Sequence, residues 1–341
     1  MRDILPDLER WRTRDEPVAL ATVIQTWGSA PRGIGAKMAV ARSGEISGSV
    51  SGGCVEGAVA ETAANVLEND QPVLLHFGVA DETAWEVGLA CGGSLDVFVE
   101  PLPAARFDWL RAAILADQPV ASLTVIGGPT GRIGANLLLP ENGPTSGTLG
   151  PGLDAAAIAL GRAALASGVS RRESLAPGVD VFVEVLLPPP TLIMVGGVHV
   201  TLALAELART LGFRTIVVEP RSAFGNPTRF PRVDRLITQW PDDALRAIGL
   251  HRSTAVAMLT HDPKLDDPAL LLALPSAAFY VGALGSRKTQ EKRRRRLREA
   301  GLTDAQLSRL RGPIGLDLGA KTPEEIALAI LAEIVAVRNL S

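Results

Sequence analysis

The residues best suited to do chemistry in this chain are two cysteines, each beside a glycine pair. One lies in Ser47-Gly48-Ser49-Val50-Ser51-Gly52-Gly53-Cys54-Val55-Glu56 and the other in Leu89-Ala90-Cys91-Gly92-Gly93-Ser94-Leu95. After the first motif, Val55, Ala58, Val59, Ala63, Val66 and Leu67 recur at helical spacing, so a helix begins where the motif ends. Glycines leading into a helix N-terminus leave backbone N–H groups with no side chain in front of them, a ready place for an anion. Cys54 falls in the first turn on this reading, where the helix dipole favours its thiolate as nucleophile and as ligand for a soft metal. Taken alone, the same residues also make a tight turn and a small apolar plug. The spacing of the two cysteines excludes a CxxC zinc or thioredoxin-like unit, and only His76 is near enough to assist them. A Cys54–Cys91 disulfide stays open.

The elements that must position these residues belong to a duplication. Pro17-Val18-Ala19-Leu20-Ala21-Thr22-Val23-Ile24 returns as Pro119-Val120-Ala121-Ser122-Leu123-Thr124-Val125-Ile126. Gly33 to Met38 returns as Arg132 to Leu137, Ser47 to Val50 as Ser146 to Leu149, and the strand Asp96 to Glu100 as Asp180 to Glu184. Residues 1–187 therefore read as one domain of two related strand–strand–helix–strand units, about 1–105 and 106–187, sharing one sheet or core. Gly52-Gly53-Cys54 becomes Pro151-Gly152-Leu153 in the second unit, and nothing like Cys91-Gly92-Gly93 precedes Asp180. A fold that needed those residues would have kept them twice, so the first unit carries the site and the second is scaffold.

Leu187-Pro188-Pro189-Pro190 is a stiff linker, and residues 188–341 form a second domain. Its texture is alternating strand and helix: Thr191 to Val195, a turn at Gly196-Gly197-Val198-His199, a helix to Leu211, and a strand to Glu219. Strands at Val233 to Thr238, Thr254 to Thr260 and Ala278 to Val281 follow, and Pro313 to Gly319 reads as a last strand or extended turn. This is a Rossmann-like, doubly wound parallel sheet covered on both faces. The turn and Glu219 match a dinucleotide frame, with Glu219 placed to accept a ribose hydroxyl. Val198 and Thr201 replace two of the three glycines, however, and put methyl groups where phosphate oxygens would go. His199, Asp262 in Thr260-His261-Asp262, and Ser286-Arg287 reach the same carboxyl edge of the sheet.

The chain has 341 residues, a formal net charge of −3 and 47% hydrophobic residues, which fits a two-domain globular protein with no drive toward nucleic acid or anionic membrane. No apolar run is long enough to cross a bilayer, the charged start is not a signal peptide, and two cysteines fit a reducing cytoplasm. The run Lys292-Arg293-Arg294-Arg295-Arg296 lies within a helix without aromatic interleaving and reads as a solvated or partner-facing surface.

In Gly28-Ser29-Ala30-Pro31-Arg32, the two cysteine motifs, the Gly196 turn, Thr260 to Asp267, Gly282 to Arg287 and Gly315 to Gly319, the whole chain resembles the XdhC/CoxI family. These are accessory proteins of xanthine dehydrogenase and related molybdenum hydroxylases. The resemblance implies a protein that binds molybdenum cofactor, protects it during sulfuration and delivers it to an apo molybdenum hydroxylase, with a cysteine desulfurase-type sulfurtransferase as second partner. It implies a homodimer and a carrier rather than an enzyme. The candidate contacts are Gly52, Gly53, Cys54, Glu56, Cys91, Gly92 and Gly93 in the first domain, and Gly196, Gly197, His199, Glu219, Asp262, Ser286 and Arg287 in the second. No catalytic residue and no resident metal site is assigned. The competing reading is a nucleotide-dependent oxidoreductase using NAD(P) on the C-terminal sheet.

Overall fold

The computed structural model describes residues 1–78 and 92–340. The chain divides into two compact units, Met1–Pro188 and Pro189–Ser341, and the expected mixed α/β class holds in both.

The first unit opens with α1 (Leu5–Arg12) and then builds one arrangement twice. The first copy runs β1 (Val18–Trp27), β2 (Lys37–Ala41), β3 (Ile46–Gly48), α2 (Glu56–Asn69), β4 (Val73–Phe77) and β5 (Ser94–Pro101). After α3 (Ala104–Leu115), the second runs β6 (Val120–Gly127), β7 (Asn136–Pro140), β8 (Ser146–Gly147), α4 (Asp154–Ser167), β9 (Arg171–Ala176) and β10 (Val179–Leu186). Each forms an antiparallel sheet of the same strand order, β3-β2-β1-β5-β4 and β8-β7-β6-β10-β9. The strands that periodicity missed are β3 and β8, too short to show a pattern, and β4 and β9, which lie at sheet edges with half-exposed side chains.

The copies do not share one sheet. Alternation along β1 sends Ala19, Ala21 and Val23 to a core with Val59, Ala63 and Val66 of α2, while Ala121, Leu123 and Val125 of β6 meet Ala157 and Ala164 of α4. The opposite faces meet in a small cluster of Ile24, Phe98, Ile126 and Phe182.

The second unit contains β11 (Thr191–Val195), α5 (His199–Thr210), β12 (Arg214–Val218), β13 (Arg235–Ile237), α6 (Pro241–Ile248) and β14 (Thr254–Met258). It continues with α7 (Pro263–Ala273), β15 (Tyr280–Ala283), α8 (Arg287–Glu299), α9 (Asp304–Ser308), β16 (Leu310–Arg311) and α10 (Pro323–Leu340). All strands are parallel in the order β13-β12-β11-β14-β15-β16, so the order reverses between β11 and β14, where such sheets open a crevice at their carboxyl ends. Ile193 and Val195 face α6, α7 and α8, and Leu192 and Met194 face α5 and α10. Burial on both faces is why these strands read as unbroken apolar runs. The last strand is Leu310–Arg311 rather than the Pro313 to Gly319 stretch, which follows it as loop and bend; Gly312 and Pro313 end the pairing.

Candidate functional site

Three loops meet at one end of the first sheet. A Cβ built on Gly28 would lie 3.4 Å from Gly93 Cα, one on Gly93 would lie 2.6 Å from the Ser29 carbonyl oxygen, and one on Gly52 would lie 3.8 Å from Pro31 Cβ. The Gly28–Arg32 loop therefore packs on Gly92–Gly93 at one side and on the Gly52 turn at the other. Only glycine fits at 93, because any side chain would enter the Ser29 backbone. Cys91 lies outside the described residues.

The backbone N–H groups of the Gly52-Gly53 turn, expected to be open, are already filled. The Glu56 carboxylate accepts from the amides of Val50 (3.2 Å), Ser51 (2.9 Å), Gly52 (3.0 Å), Gly53 (2.9 Å) and Val55 (3.2 Å). It also accepts from the hydroxyls of Ser49 at 2.6 Å and Ser51 at 2.5 Å. The turn is an anion nest, and its anion is the chain's own side chain. Burial works against the charge, but the Ser49 and Ser51 hydroxyls and the backbone donors outweigh it and hold the Glu56 carboxyl at about 2. A carboxylate at the start of α2 also complements the helix dipole.

Cys54 is not in the first turn of that helix. It precedes the N-cap Val55, its amide donates to Ser51 Oγ at 3.0 Å, and its thiol is free and half-buried. Its position is set by the turn that Glu56 ties down, with Gly52 and Gly53 exposed beside it. The second copy retains a reduced version: Asp154 accepts from Leu149 N at 2.8 Å and Thr148 Oγ1 at 2.7 Å. The shorter carboxylate gathers two donors there, and because this turn is one residue shorter, the buried N-cap Leu153 stands where Val55 stands and Gly152 where Cys54 stands, which corrects the pairing of Cys54 with Leu153 read from the sequence.

Three residues outside the candidate contacts lie near this end of the sheet: Trp27, which the sequence reading did not single out, and His76 and Arg32, which it named without a role. Trp27, 46% exposed, ends β1, and its ring meets His76 edge-on at 5.9 Å. His76 Nδ1 lies 2.6 Å from Asp96 Oδ1, a pairing visible only once the β4–β5 register is known. Arg32 follows Pro31; its Nε is buried without a hydrogen-bond partner and its Nη2 lies 3.6 Å from Asp3.

In the second unit the remaining candidates gather at the carboxyl edge of the sheet. The loops after β11 and β14 touch, since a Cβ on Gly196 would fall 2.5 Å from Thr260 Cγ2. Glu219, fully buried, is not an open acceptor for a ribose hydroxyl. One oxygen accepts from Arg221 N at 2.9 Å and Arg221 Nε at 2.8 Å, the other from Gly197 N at 2.8 Å and Arg221 Nη2 at 2.7 Å. Burial opposes the Glu219 charge, yet Arg221 and the two amides hold the carboxyl below its ordinary range.

The two replaced glycines are accommodated. Val198 has an ordinary extended backbone and, half-buried, packs against the cluster under α5 and α10. The Thr201 hydroxyl donates to the Gly196 carbonyl. His199 and Arg287 are exposed first residues of α5 and α8. Asp262 and Ser286 cap helices: Asp262 Oδ1 accepts from Lys264 N at 2.9 Å and Ser286 Oγ from Thr289 N at 3.3 Å.

The basic run is not a solvated face. Arg293 is 2% exposed and donates to Asp266 Oδ2 at 2.8 Å, Gln290 Oε1 at 2.7 Å and the Leu284 carbonyl at 3.0 Å. Arg294 donates to the Leu307 and Leu310 carbonyls and Arg296 to Asp267, while Lys292 and Arg295 stay exposed. Among the described residues no group of three or more His, Cys, Asp or Glu side chains could hold a metal ion, and no helix is long and apolar enough to cross a membrane.

Residues 192–334 match the family model described as the XdhC Rossmann domain, and residues 11–78 match that of the XdhC and CoxI family. The chain is 28% identical over 329 residues to a protein of Bacillus subtilis (strain 168) described as a probable xanthine dehydrogenase subunit, covering 95% of this chain and 94% of that protein. It is 26% identical over 329 residues to the molybdenum cofactor insertion chaperone PaoD of Escherichia coli (strain K12), covering 94% and 83% respectively. A crystal structure described as a xanthine dehydrogenase from Bacillus halodurans superposes with a TM-score of 0.77 at 25% identity, over 98% of this chain and 96% of that one.

Proposed function

The chain belongs to the XdhC and CoxI family, and on that premise we propose that it serves the maturation of a molybdenum hydroxylase by carrying molybdenum cofactor. In this reading it takes the cofactor as cargo at the first-copy loops and holds it while a cysteine desulfurase-type sulfurtransferase supplies sulfur. It then passes the cargo to an apo-hydroxylase of the xanthine dehydrogenase type. The chain acts as carrier and chaperone, and catalyses no step itself. In this reading it works in the cytoplasm as a homodimer, and sedimentation of the purified chain checks the dimer.

The observation that carries the reading is the Cys54 thiol, free and half-buried on a turn held by seven hydrogen bonds to Glu56. The second copy, with the same fold, has Gly152 at that place and no thiol. A fixed sulfur beside exposed glycine backbone suits a soft metal held by sulfur ligands. Because Glu56 fills the amides of Gly52 and Gly53, they do not bind the cargo's phosphate. That role passes to Arg32, whose guanidinium is paired only with Asp3 at 3.6 Å and keeps a buried Nε without a partner, and Trp27 offers an exposed ring to the flat pterin.

The test is to mix the purified chain with free cofactor and measure molybdenum retained after gel filtration. Retention should fall for Cys54→Ala and Cys91→Ala, and Arg32→Ala should weaken it without abolishing it. Undiminished retention in the double cysteine variant would remove the assigned site.

A further inference from the structure

We infer that the C-terminal unit binds an adenine nucleotide bearing a ribose 2′-phosphate, with the phosphate held by Arg221 and Arg229 on the loop after β12. This goes beyond the cofactor-carrier reading and stands apart from it, since it concerns the other unit's residues.

In sheets of this strand order a ligand lies in the crevice where the order reverses. An acid at the end of the second strand accepts the 2′-hydroxyl of an unphosphorylated nucleotide, whereas a nearby arginine accommodates a 2′-phosphate. Here both oxygens of Glu219 are engaged by two backbone amides and by Arg221. A ribose hydroxyl would have to break charge-assisted bonds of 2.7–2.8 Å in order to reach that carboxylate. The acid therefore anchors an arginine rather than a sugar.

The Arg221 side chain is 45% exposed. Its Nε and Nη2 hold Glu219, and Nη1 makes no hydrogen bond among the described residues. Arg229 donates from Nη1 to the carbonyls of Gly197 at 2.8 Å and Phe224 at 3.0 Å, which ties this loop to the glycine turn. It has no carboxylate partner among the described residues. Both guanidinium carbons lie over the Phe224 ring, at 4.7 Å for Arg221 and 5.6 Å for Arg229, and the ring is 43% exposed.

Asp262, on the loop after β14, also acts on Arg221, which leaves Arg229 as the guanidinium of the two without a carboxylate beside it. Guanidinium donors arranged this way match phosphate geometry better than ammonium groups do.

The experiment is calorimetric titration of the full-length chain with NADP⁺, NAD⁺, 2′-AMP, 5′-AMP and inorganic phosphate. NADP⁺ and 2′-AMP should each bind at least tenfold more tightly than NAD⁺ and 5′-AMP, a ratio worth about 1.4 kcal/mol. Arg221→Gln and Arg229→Gln should each weaken NADP⁺ and 2′-AMP binding at least tenfold and so erase that ratio. Arg229→Lys, which keeps the charge and one carbonyl bond, should retain part of the preference and so separate loss of charge from loss of fold. Equal affinities, preference for NAD⁺, binding of none of the four nucleotides, or phosphate binding as tightly as 2′-AMP would each overturn the inference. None of these outcomes bears on molybdenum retention, which is read from variants of the first unit.

Discussion

Lys37 Nζ lies 3.0 Å from Glu184 Oε2, with both side chains buried and contributed by different copies of the repeat. Lys37 also donates to Thr22 Oγ1 at 2.9 Å. The duplication places Asn136 where Lys37 stands, so the matching buried acid, Glu100, needs another cation. It receives one from Arg106 of α3, at 2.7 Å, and α3 lies between the copies and belongs to neither. One buried ion pair therefore joins the copies, Lys37–Glu184, while the other ties α3 to the first sheet.

Lys37→Met should destabilise the first unit by about 3–5 kcal/mol, because it leaves the Glu184 charge buried without a partner. Lys37→Met combined with Glu184→Leu should recover most of that loss. Urea denaturation of the two variants checks this. Equal damage in single and double variants would mean that the pair is more than a mutual neutralisation.

Glu56 gives the first copy a pH dependence. Its folded-state carboxyl sits at about 2 against an ordinary value of 4.5, so its contribution to stability is fully present above about pH 4.5. That contribution is lost as pH falls toward 2. At full strength the shift is worth about 3 kcal/mol, and partial solvent access reduces this to about 1–2 kcal/mol. The gap in urea midpoint between wild type and Glu56→Gln should therefore be constant from pH 7 to 5 and close below it.

Gly48 and Gly147 occupy the same place in the two copies and carry the same constraint. Their φ values are +80° and +82°, and an added Cβ would fall 2.3 Å from the Lys37 carbonyl oxygen or 2.2 Å from that of Asn136. Alanine at either site combines a left-handed backbone with a backbone collision, for a loss of roughly 2–5 kcal/mol. Thermal melts of Gly48→Ala and Gly147→Ala should show comparable drops.

The basic run of α8 divides into structural and dispensable charges. Arg293→Met should destabilise the C-terminal unit by about 3–5 kcal/mol, since it strips the partner from Asp266, a carboxyl that burial already pushes above its ordinary range against the pull of Thr260 and Arg293. Lys292→Ala and Arg295→Ala should stay within about 0.5 kcal/mol of wild type. Chemical denaturation monitored in the three variants distinguishes these roles.

Much of the architecture was legible because periodicity and repetition survive in one dimension. The matching segments from Pro17 and Pro119 onward gave away two like units, and the apolar runs at Thr191, Thr254 and their neighbours gave away a parallel sheet. The edge strand β4 escaped because its residues alternate between half-buried and exposed, without the contrast a buried strand shows. The cysteine motif was legible as a glycine-rich turn before a helix. The occupant of the turn was not, because Glu56 reads as an ordinary first-turn acid until its carboxylate is seen folded back over the loop.

The order of residues by itself determined which segments become strands and helices, that one unit is duplicated, and that one copy alone keeps its thiol, since these follow from side-chain spacing and identity. Only the tertiary structure decided which polar groups are available. Glu56 closes the first nest, Glu219 takes Arg221 instead of a sugar, and Arg293 leaves solvent for Asp266. A buried charge must find a partner wherever the fold brings one within reach, and the sequence does not encode that distance.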